Sequence, residues 1–152
     1  MRGYYKDEGK TGEVIRNGWF YSGDLGYFDQ NGEIRVVERK SECINTGAEK
    51  VFPSEVEEIL EKHDAVRRAC VIGVPDEKWG SAVMAVIQLK SGRTASQEEI
   101  LEWCGDKLVR FKIPKHIAFA EELPTTPVGK ILRSEVRRLY GSARPLPRSP
   151  GL

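Results

Sequence analysis

A lysine near the C-terminal end of the chain stands in the setting of a cation that can be delivered to an anion. Lys130 follows a short polar loop in which Pro124 and Pro127 restrict the backbone, and Gly129 frees it again one position before the lysine. An apolar and charged pattern that is typical of a helix comes next. An ammonium group on such an arm suits a phosphate or a carboxylate; a solvated surface lysine is the alternative on these residues alone.

A second pair of residues with ligand-binding chemistry comes much earlier, within residues 18–44. Gly23 permits a tight turn, after which Asp24 presents a carboxylate at a junction of strand and loop. A carboxylate can accept hydrogen bonds from both hydroxyls of a ribose, and Arg39 can add a forked donor to the same sugar or to a phosphate. An ordinary surface ion pair across a hairpin, worth about 0–1 kcal/mol, is the alternative.

The strands that must position these groups are predicted by alternation and turn signals. Residues 24–37 predict a β-hairpin with an Asn-Gly turn, and an aromatic strand at residues 19–21 precedes it. Residues 1–10 are polar and without period, so no element is predicted there. Trp79 stands at the start of a strand and is expected to lie in the core. The strands of the main body are predicted at residues 66–74, 82–89 and 116–119.

Three helices are predicted by a 3.6-residue period and by their start signals. The first begins around Pro53 with three glutamates in its first turns, which suits the helix macrodipole. Ser96 opens the second with a capping box, and the third covers residues 131–139. The buried set predicted for the second helix is Ile100, Leu101, Trp103, Leu108 and Val109.

These elements predict an α+β fold, in which a small domain of about three strands with three flanking helices follows a β-hairpin segment. Charge rises and apolar content falls at residues 38–42, where we expect a hinge. The boundaries predicted are residues 1–38 for the hairpin segment and 39–140 for the small domain. Residues 141–152 form a Pro-, Arg- and Ser-rich tail that we expect to be disordered.

Composition argues against several classes of function. The 152 residues carry a formal net charge of +1, which favours neither nucleic acid nor an anionic membrane surface as a partner. No apolar run approaches the roughly 20 residues of a membrane-spanning helix, and we expect no signal peptide. The cysteines, Cys43, Cys70 and Cys104, are odd in number and widely spaced. We therefore expect reduced thiols in a cytoplasmic protein, and no zinc site.

The chain resembles the C-terminal end of the acyl-adenylate-forming enzymes, in stretches that run GWFYSGDLGYFDQNGEIRVVERKSECINTGAEKVFPSEVEEIL, VIGVPDEKWG and FKIPKHIAFAEELPTTPVGKILR. This superfamily includes acyl-CoA synthetases, peptide-synthetase adenylation domains and beetle luciferases. The likeness covers about residues 2–140 and keeps the order and spacing of the family's motifs. The stretch INTGAEKVFPSEVE is most similar to fatty-acyl-CoA synthetases, which take part in fatty acid metabolism.

The resemblance implies a ligase reaction in two steps. ATP and a carboxylic acid first give an acyl adenylate and pyrophosphate; the small C-terminal domain then rotates, and the thiol of CoA attacks the adenylate. Lys130 would reach the acyl carboxylate and the α-phosphate in the first step. Asp24 would hold the ribose hydroxyls of ATP, assisted by Arg39, and Ser41 aligns with the hinge. The loop lining the CoA tunnel would be Asn45, Thr46, Gly47, Ala48 and Glu49.

Some positions depart from the family pattern. Ser41 stands where Asp or Lys is usual, and Glu38 where Gly or Asp is common. Ala48 replaces the second glycine of the tunnel loop, where a methyl group could narrow the channel or forbid a positive φ.

The resemblance also implies a partner whose main motifs are matched by no stretch of this chain. This is a large N-terminal domain with a phosphate loop, an acyl pocket and a glutamate for Mg²⁺, and residues 1–38 would be its last segment. ATP and Mg²⁺ would be held largely by that domain, with CoA as co-substrate. We therefore expect negligible ligase activity from the chain alone.

Two other functions remain open. An adenylation domain that loads a carrier protein would share the first step and change the acceptor, although no serine-bearing carrier segment follows Lys130. A non-catalytic module that docks on a partner or on a separate large domain belongs to a different class of protein.

Overall fold

Residues 1–141 are described by the computed structural model of the chain, and their contacts fall into two units. The first is Met1–Ser41, and the second begins at Glu42. The tail predicted to be disordered lies outside the described residues, except for Gly141. The assignment of residues 1–38 to the end of a larger domain remains a prediction.

The first unit contains one short helix and two pairs of strands. Strand β1 pairs with β2, and β3 with β4, both antiparallel. The elements are α1 (Glu8–Val14), β1 (Ile15–Arg16), β2 (Trp19–Phe20), β3 (Asp24–Phe28) and β4 (Ile34–Arg39).

Helix α1 corrects the expectation that the first residues form no regular element. Its N-cap is Asp7, whose side chain accepts a hydrogen bond from the backbone N–H of Lys10. The helix buries no residue. A helix without a buried face has no hydrophobic period, so only its cap could have revealed it.

The predicted hairpin of β3 and β4 is confirmed, and an aspartate organises its turn. The backbone N–H of Gly32, at φ +77°, donates to the carbonyl of Asp29, so Asn31 and Gly32 take the last two positions of a four-residue turn. The side chain of Asp29 accepts hydrogen bonds from the backbone of Asn31 and Glu33. The hydrogen bond from Glu33, followed by that from Arg35, lowers the pKa of the Asp29 carboxyl below its usual value.

The second unit has the predicted α+β class. A three-stranded sheet carries its core, with β7 antiparallel to β8 and β8 parallel to β9, and the short strands β5 and β6 form a separate antiparallel pair. The elements are β5 (Ile44–Thr46), β6 (Glu49–Val51), α2 (Pro53–Glu61), β7 (Val66–Asp76), β8 (Gly80–Leu89), α3 (Gln97–Gly105), β9 (His116–Ala120) and α4 (Arg133–Tyr140).

The start signals of two helices are confirmed. Pro53 is the first residue of α2, where its missing N–H costs nothing because that group would have no partner inside the helix. At the start of α3, the side chain of Ser96 accepts from the backbone of Glu99, and the side chain of Glu99 accepts from the backbone of Ser96.

Buried clusters cover both faces of the three-stranded sheet. On one face, residues such as Val71 and Ile87 pack with Leu60 of α2 and Ile100 of α3. On the other face, side chains of β7 and β8 pack with Leu123 and with α4; this second cluster comprises Cys70, Ile72, Val74, Ala82, Met84, Val86, Leu123 and Val136. Since β-strand side chains alternate between faces, the two clusters follow from near-continuous apolar runs in β7 and β8.

Two details of the predicted helices are wrong. Val109, predicted to be buried on the second helix, is 54% exposed and lies beyond α3, which ends at Gly105. Cys104, which was not predicted to belong to the buried face, is fully buried. The last helix begins at Arg133 and not at residue 131, because Ile131 pairs with Thr125 in an isolated β-bridge.

All three cysteines are free thiols. Burial raises the pKa of Cys70 and of Cys104 to about 11 each, so both are packing residues that stay protonated at neutral pH. Across residues 1–141, no group of three or more His, Cys, Asp or Glu side chains is placed to hold a metal ion. None of the helices described has the length and apolar character needed to cross a membrane.

Candidate functional site

Lys130 lies at the end of a tight loop that closes on itself. The backbone N–H of Gly129 donates to the carbonyl of Thr126 (2.8 Å), and the N–H of Thr126 donates to the carbonyl of Lys130 (2.7 Å). Pro127 occupies the second position of this turn, where its fixed φ is favourable, and Gly129 has φ +82°. The sequence Thr-Pro-Val-Gly-Lys therefore specifies the turn locally.

The base of this loop is held in the core. Leu123 is only 2% exposed and belongs to the second buried cluster, and Ile131 packs against the same cluster. The backbone N–H of Leu132 donates to the carbonyl of Pro124 (2.9 Å), which brings the two arms of the loop together. Lys130 thus projects from a small hairpin with an anchored base.

The side chain of Lys130 is exposed. Its backbone N–H donates to the hydroxyl oxygen of Thr126 (3.1 Å), but within the described part of the chain its ammonium group has no recorded ion pair or hydrogen bond. A cation on a fixed loop with no competing partner is suited to bind a mobile anion. The contact of Lys130 with the acyl carboxylate and the α-phosphate remains a prediction.

Asp24 and Arg39 are brought together by the first unit. They are direct partners in the pairing of β3 with β4, and the Nε of Arg39 lies 2.8 Å from the carboxylate of Asp24. Arg39 also donates to the carbonyl of Ser22 (3.1 Å), and Gly23 turns the chain at φ +75°. The carboxylate is therefore pre-oriented beside a guanidinium, as both a ribose site and a surface ion pair would require.

Ser41, the predicted hinge residue, is the last residue of the first unit. The next residue, Glu42, belongs to the second unit, where its carboxylate lies 3.3 Å from Arg137 and 3.8 Å from Arg133 of α4. These ion pairs tie the first residue of the second unit to its last helix.

Residues 45–49, which are predicted to line the CoA tunnel, form a tight hairpin. Thr46 of β5 pairs with Glu49 of β6, and only Gly47 and Ala48 lie between them. Gly47 has φ +64°, whereas Ala48 is not among the residues with a positive φ. A positive φ at the first central position alone is the pattern of a type II′ turn. Ala48 therefore needs no strained backbone in this conformation.

Trp79 lies beside the Gly47 turn, and the expectation that it is a core residue is wrong. It is 43% exposed, and its carbonyl accepts a hydrogen bond from the N–H of Gly47 (2.8 Å). The ammonium groups of Lys78 and Lys115 lie 4.9 Å and 5.4 Å from the centre of its ring. Gly80, the next residue, has φ +73°. A glycine at this position is the sequence signal that Trp79 lies in a turn and not in a buried strand.

The carboxylate of Asp76 stabilises the turn that contains Trp79. The side chain of Asp76 accepts hydrogen bonds from the backbone N–H groups of Lys78 (3.0 Å) and Trp79 (2.8 Å), and it forms an ion pair with Lys115 (3.2 Å). The hydrogen bond from Trp79 makes the largest contribution to lowering the pKa of the Asp76 carboxyl below its usual value. The indole is thus fixed beside the Gly47 turn by a group that is ionised at neutral pH.

Replacing Gly47 by alanine should destabilise the chain by about 1–2 kcal/mol more than replacing Gly92. Both residues have positive φ, but a Cβ at Gly47 would lie 2.9 Å from the Cε3 atom of Trp79, whereas one at Gly92 would meet nothing within 4 Å. Urea unfolding of Gly47→Ala and Gly92→Ala measures the difference. Equal losses would mean that the indole does not press on the turn.

Comparison with known proteins places these features in a family of enzymes. The model of the family described as "AMP-binding enzyme C-terminal domain" matches residues 55–130. The 2-succinylbenzoate--CoA ligase of Bacillus cereus strain Q1 is 45% identical over 137 residues, which is 90% of this chain and 28% of that protein.

Solved structures agree with this result. The o-succinylbenzoate CoA synthetase of Bacillus subtilis, in complex with its acyl-adenylate intermediate, is 34% identical with a TM-score of 0.83, over 95% of this chain and 29% of that one. A fatty acyl CoA synthetase of Mycobacterium tuberculosis is 36% identical with a TM-score of 0.70, over 93% of this chain and 28% of that one. The chain thus spans little more than a quarter of the length of the relatives it matches.

Proposed function

This chain belongs to the family of AMP-binding enzyme C-terminal domains, and from that premise we propose that it is the C-terminal part of an AMP-forming acyl-CoA ligase. The observation that carries the proposal is Lys130, a cation with no recorded partner among the described residues, on a loop whose base is anchored in the core. The reaction joins a carboxylic acid to CoA and converts ATP to AMP and pyrophosphate.

In the first step, the carboxylate of the acid attacks the α-phosphorus of ATP, and pyrophosphate leaves. Lys130 contacts the acyl carboxylate and the α-phosphate and offsets the charge that develops on the transferring group. Asp24 accepts hydrogen bonds from the ribose hydroxyls, and Arg39 orients it from 2.8 Å away. Following the resemblance, we assign Mg²⁺ to the large N-terminal portion of the ligase.

In the second step, the thiol of CoA attacks the acyl carbon of the adenylate, and AMP leaves. We assign residues 45–49 to the wall of the CoA channel, because their turn is narrow and exposes backbone at Gly47 and Ala48. Trp79 packs against this turn at Gly47, on the side where a Cβ would project, and its carbonyl accepts a hydrogen bond from the Gly47 N–H. Ser41 is the proposed hinge between the two steps.

Exposed apolar side chains in the first unit support a covering partner. Tyr27 and Phe28 of β3 and Ile34 and Val36 of β4 are each more than half exposed. Successive residues of a strand point to opposite faces, so apolar groups are exposed on both faces of this two-stranded hairpin. Such a hairpin is marginally stable in water. We propose that the large N-terminal portion of the ligase, with residues 1–38 as its last segment, covers these residues.

The acid is the finer part of the proposal. The stretch INTGAEKVFPSEVE predicts a fatty acid, whereas the relatives include ligases named for 2-succinylbenzoate as well as a fatty acyl CoA synthetase. Both classes of acid therefore belong in the test. A cytoplasmic location remains a prediction from the unpaired cysteines.

The decisive experiment uses what we call the complete ligase. This is the polypeptide read in frame upstream of Met1 or, where no such frame exists, this chain fused behind the N-terminal portion of the Bacillus cereus relative. We expect acid-dependent release of pyrophosphate and, with CoA, a thioester product, while residues 1–152 alone release none. Pyrophosphate release with transfer only to a carrier protein would favour the loading domain. Absence of pyrophosphate release from every acid tested would favour a non-catalytic module.

A further inference from the structure

Two residues of the main sheet hold the loop that carries Lys130, one at the start of the loop and one at its tip. Arg68 of β7 donates from its guanidinium to the carbonyl of Gly129 (3.0 Å), across 61 positions of sequence. Gln88 of β8 donates from its side-chain amide to the carbonyl of Glu121 (2.9 Å), at the start of the same segment. Arg68 and Gln88 face each other as direct partners in the pairing of β7 with β8.

A β-bulge in β7 places Arg68 on the required face. The register shifts between Val66 and Arg68, so Arg67 is an extra residue without a partner in β8. Without the bulge, Val66 would share a face with Arg68 and Cys70. The inserted residue allows Val66 to be buried in the first cluster while Arg68 points to the opposite face, with Cys70 and α4.

The hydrogen bond from Arg68 to Gly129 restricts the direction in which the side chain of Lys130 points. The carbonyl that it binds belongs to the peptide unit between Gly129 and Lys130, and the N–H of the same unit donates to the hydroxyl oxygen of Thr126 (3.1 Å). A peptide unit is planar, so holding its oxygen and its N–H together fixes the plane. Fixing that plane restricts the direction in which the side chain of Lys130 leaves the backbone.

Gln88 fixes the start of the same loop through a partly buried hydrogen bond. It is 8% exposed and is one of two buried polar side chains among the described residues, the other being Thr46. A buried amide costs free energy unless it is hydrogen-bonded, so the amide of Gln88 binds Glu121 in preference to remaining unpaired. The loop is thereby fixed at one end by Gln88 and at its tip by Arg68.

We propose that Arg68, supported by Gln88, is a positioning residue that aims the ammonium group of Lys130 during adenylation. This inference rests on the proposed function, since it needs Lys130 to act on the adenylate. Arg68 itself contacts neither acid nor nucleotide in this scheme. The loss of its hydrogen bond leaves the Gly129 carbonyl accessible to water, so the fold should survive while the lysine becomes less well directed.

The test compares Arg68→Met with Arg67→Met in the complete ligase. Arg67 is the adjacent, exposed arginine of the bulge, and replacing it removes the same charge without the contact to Gly129. We expect Arg68→Met to reduce kcat for adenylation by about tenfold, with little change in the KM for ATP, because misplacing a catalytic group by even 1 Å can cost up to about 100-fold. Arg67→Met should change kcat less than twofold, and Arg68→Lys should restore part of the loss.

A double variant separates positioning from general structural damage. In a Lys130→Ala background, Arg68→Met should produce no further loss, because the two residues act as one unit. Thioester formation from preformed adenylate should be unchanged in Arg68→Met. Additive losses, or equal losses in both half-reactions, would overturn the inference.

The same measurements distinguish this inference from the proposed function. If Lys130→Ala leaves adenylation intact, the proposed function fails and the inference fails with it. If Lys130→Ala abolishes adenylation while Arg68→Met behaves like Arg67→Met, only the positioning role is overturned.

Discussion

Replacing Lys130 by alanine in the complete ligase should reduce acid-dependent pyrophosphate release by about 100- to 1,000-fold, equivalent to about 3–4 kcal/mol of barrier. The reason is that the ammonium group contacts charge that develops on the transferring phosphoryl and acyl groups, in a position that no other described cation is proposed to take. The side chain is exposed and its ammonium has no recorded partner among the described residues, so its removal should leave the fold intact. Pyrophosphate release and hydroxylamine trapping of the adenylate should fall together.

The second half-reaction provides the internal control for this variant. Thioester formation from a preformed adenylate should be far less affected, because the lysine is assigned to the first step alone. Lys62→Ala is a matched control, since Lys62 is an exposed lysine at the end of α2 whose ion pair within residues 1–141 is with Glu58, at 2.7 Å. Equal loss in the two half-reactions would refute the role assigned to Lys130.

Replacing Arg133 by methionine should lower the free energy of unfolding by about 3 kcal/mol. Its Nη2 atom lies 2.6 Å and 2.8 Å from the two carboxylate oxygens of Glu57, and the two side chains are only 20% and 17% exposed. Breaking a buried pair by removing one partner costs about 3–5 kcal/mol, because a charge is left in the interior; partial exposure places this pair at the lower end. Urea unfolding of the chain measures the loss.

Two further variants make this prediction specific. Arg138→Met, in the same helix, removes an arginine that is 68% exposed and paired with Glu135, and it should cost no more than about 0.5 kcal/mol. Glu57→Gln combined with Arg133→Met should be less destabilising than Arg133→Met alone, because the amide keeps an acceptor for the N–H of Val71 without a buried charge. If Arg133→Met and Arg138→Met cost the same, the pair with Glu57 is not a structural anchor.

The ion pair also connects stability with the proposed chemistry. Arg133 is the first residue of α4 and follows Lys130 by three positions, so its contact with Glu57 of α2 fixes the helix onto which the lysine loop leads. Arg133 also lies 3.8 Å from Glu42, the first residue after the proposed hinge.

The sequence by itself determined the features that depend on neighbouring residues. Pro53 and the capping box at Ser96 predicted two helix starts, and apolar runs predicted the two long strands, because these signals act within one turn or one strand. The loop before Lys130 was also indicated by the sequence, because Pro127 restricts the backbone at one position of the turn and Gly129 permits a positive φ at another.

Only the tertiary structure decided which distant side chains meet. The contacts of Gly47 with Trp79, of Glu57 with Arg133 and of Arg68 with Gly129 join segments that no local pattern relates. A hydrophobic period reports which face of its own element is buried, but it does not identify the residue opposite. The bulge at Arg67 interrupts the period as well, so the face on which Arg68 lies follows from strand pairing and packing and not from alternation.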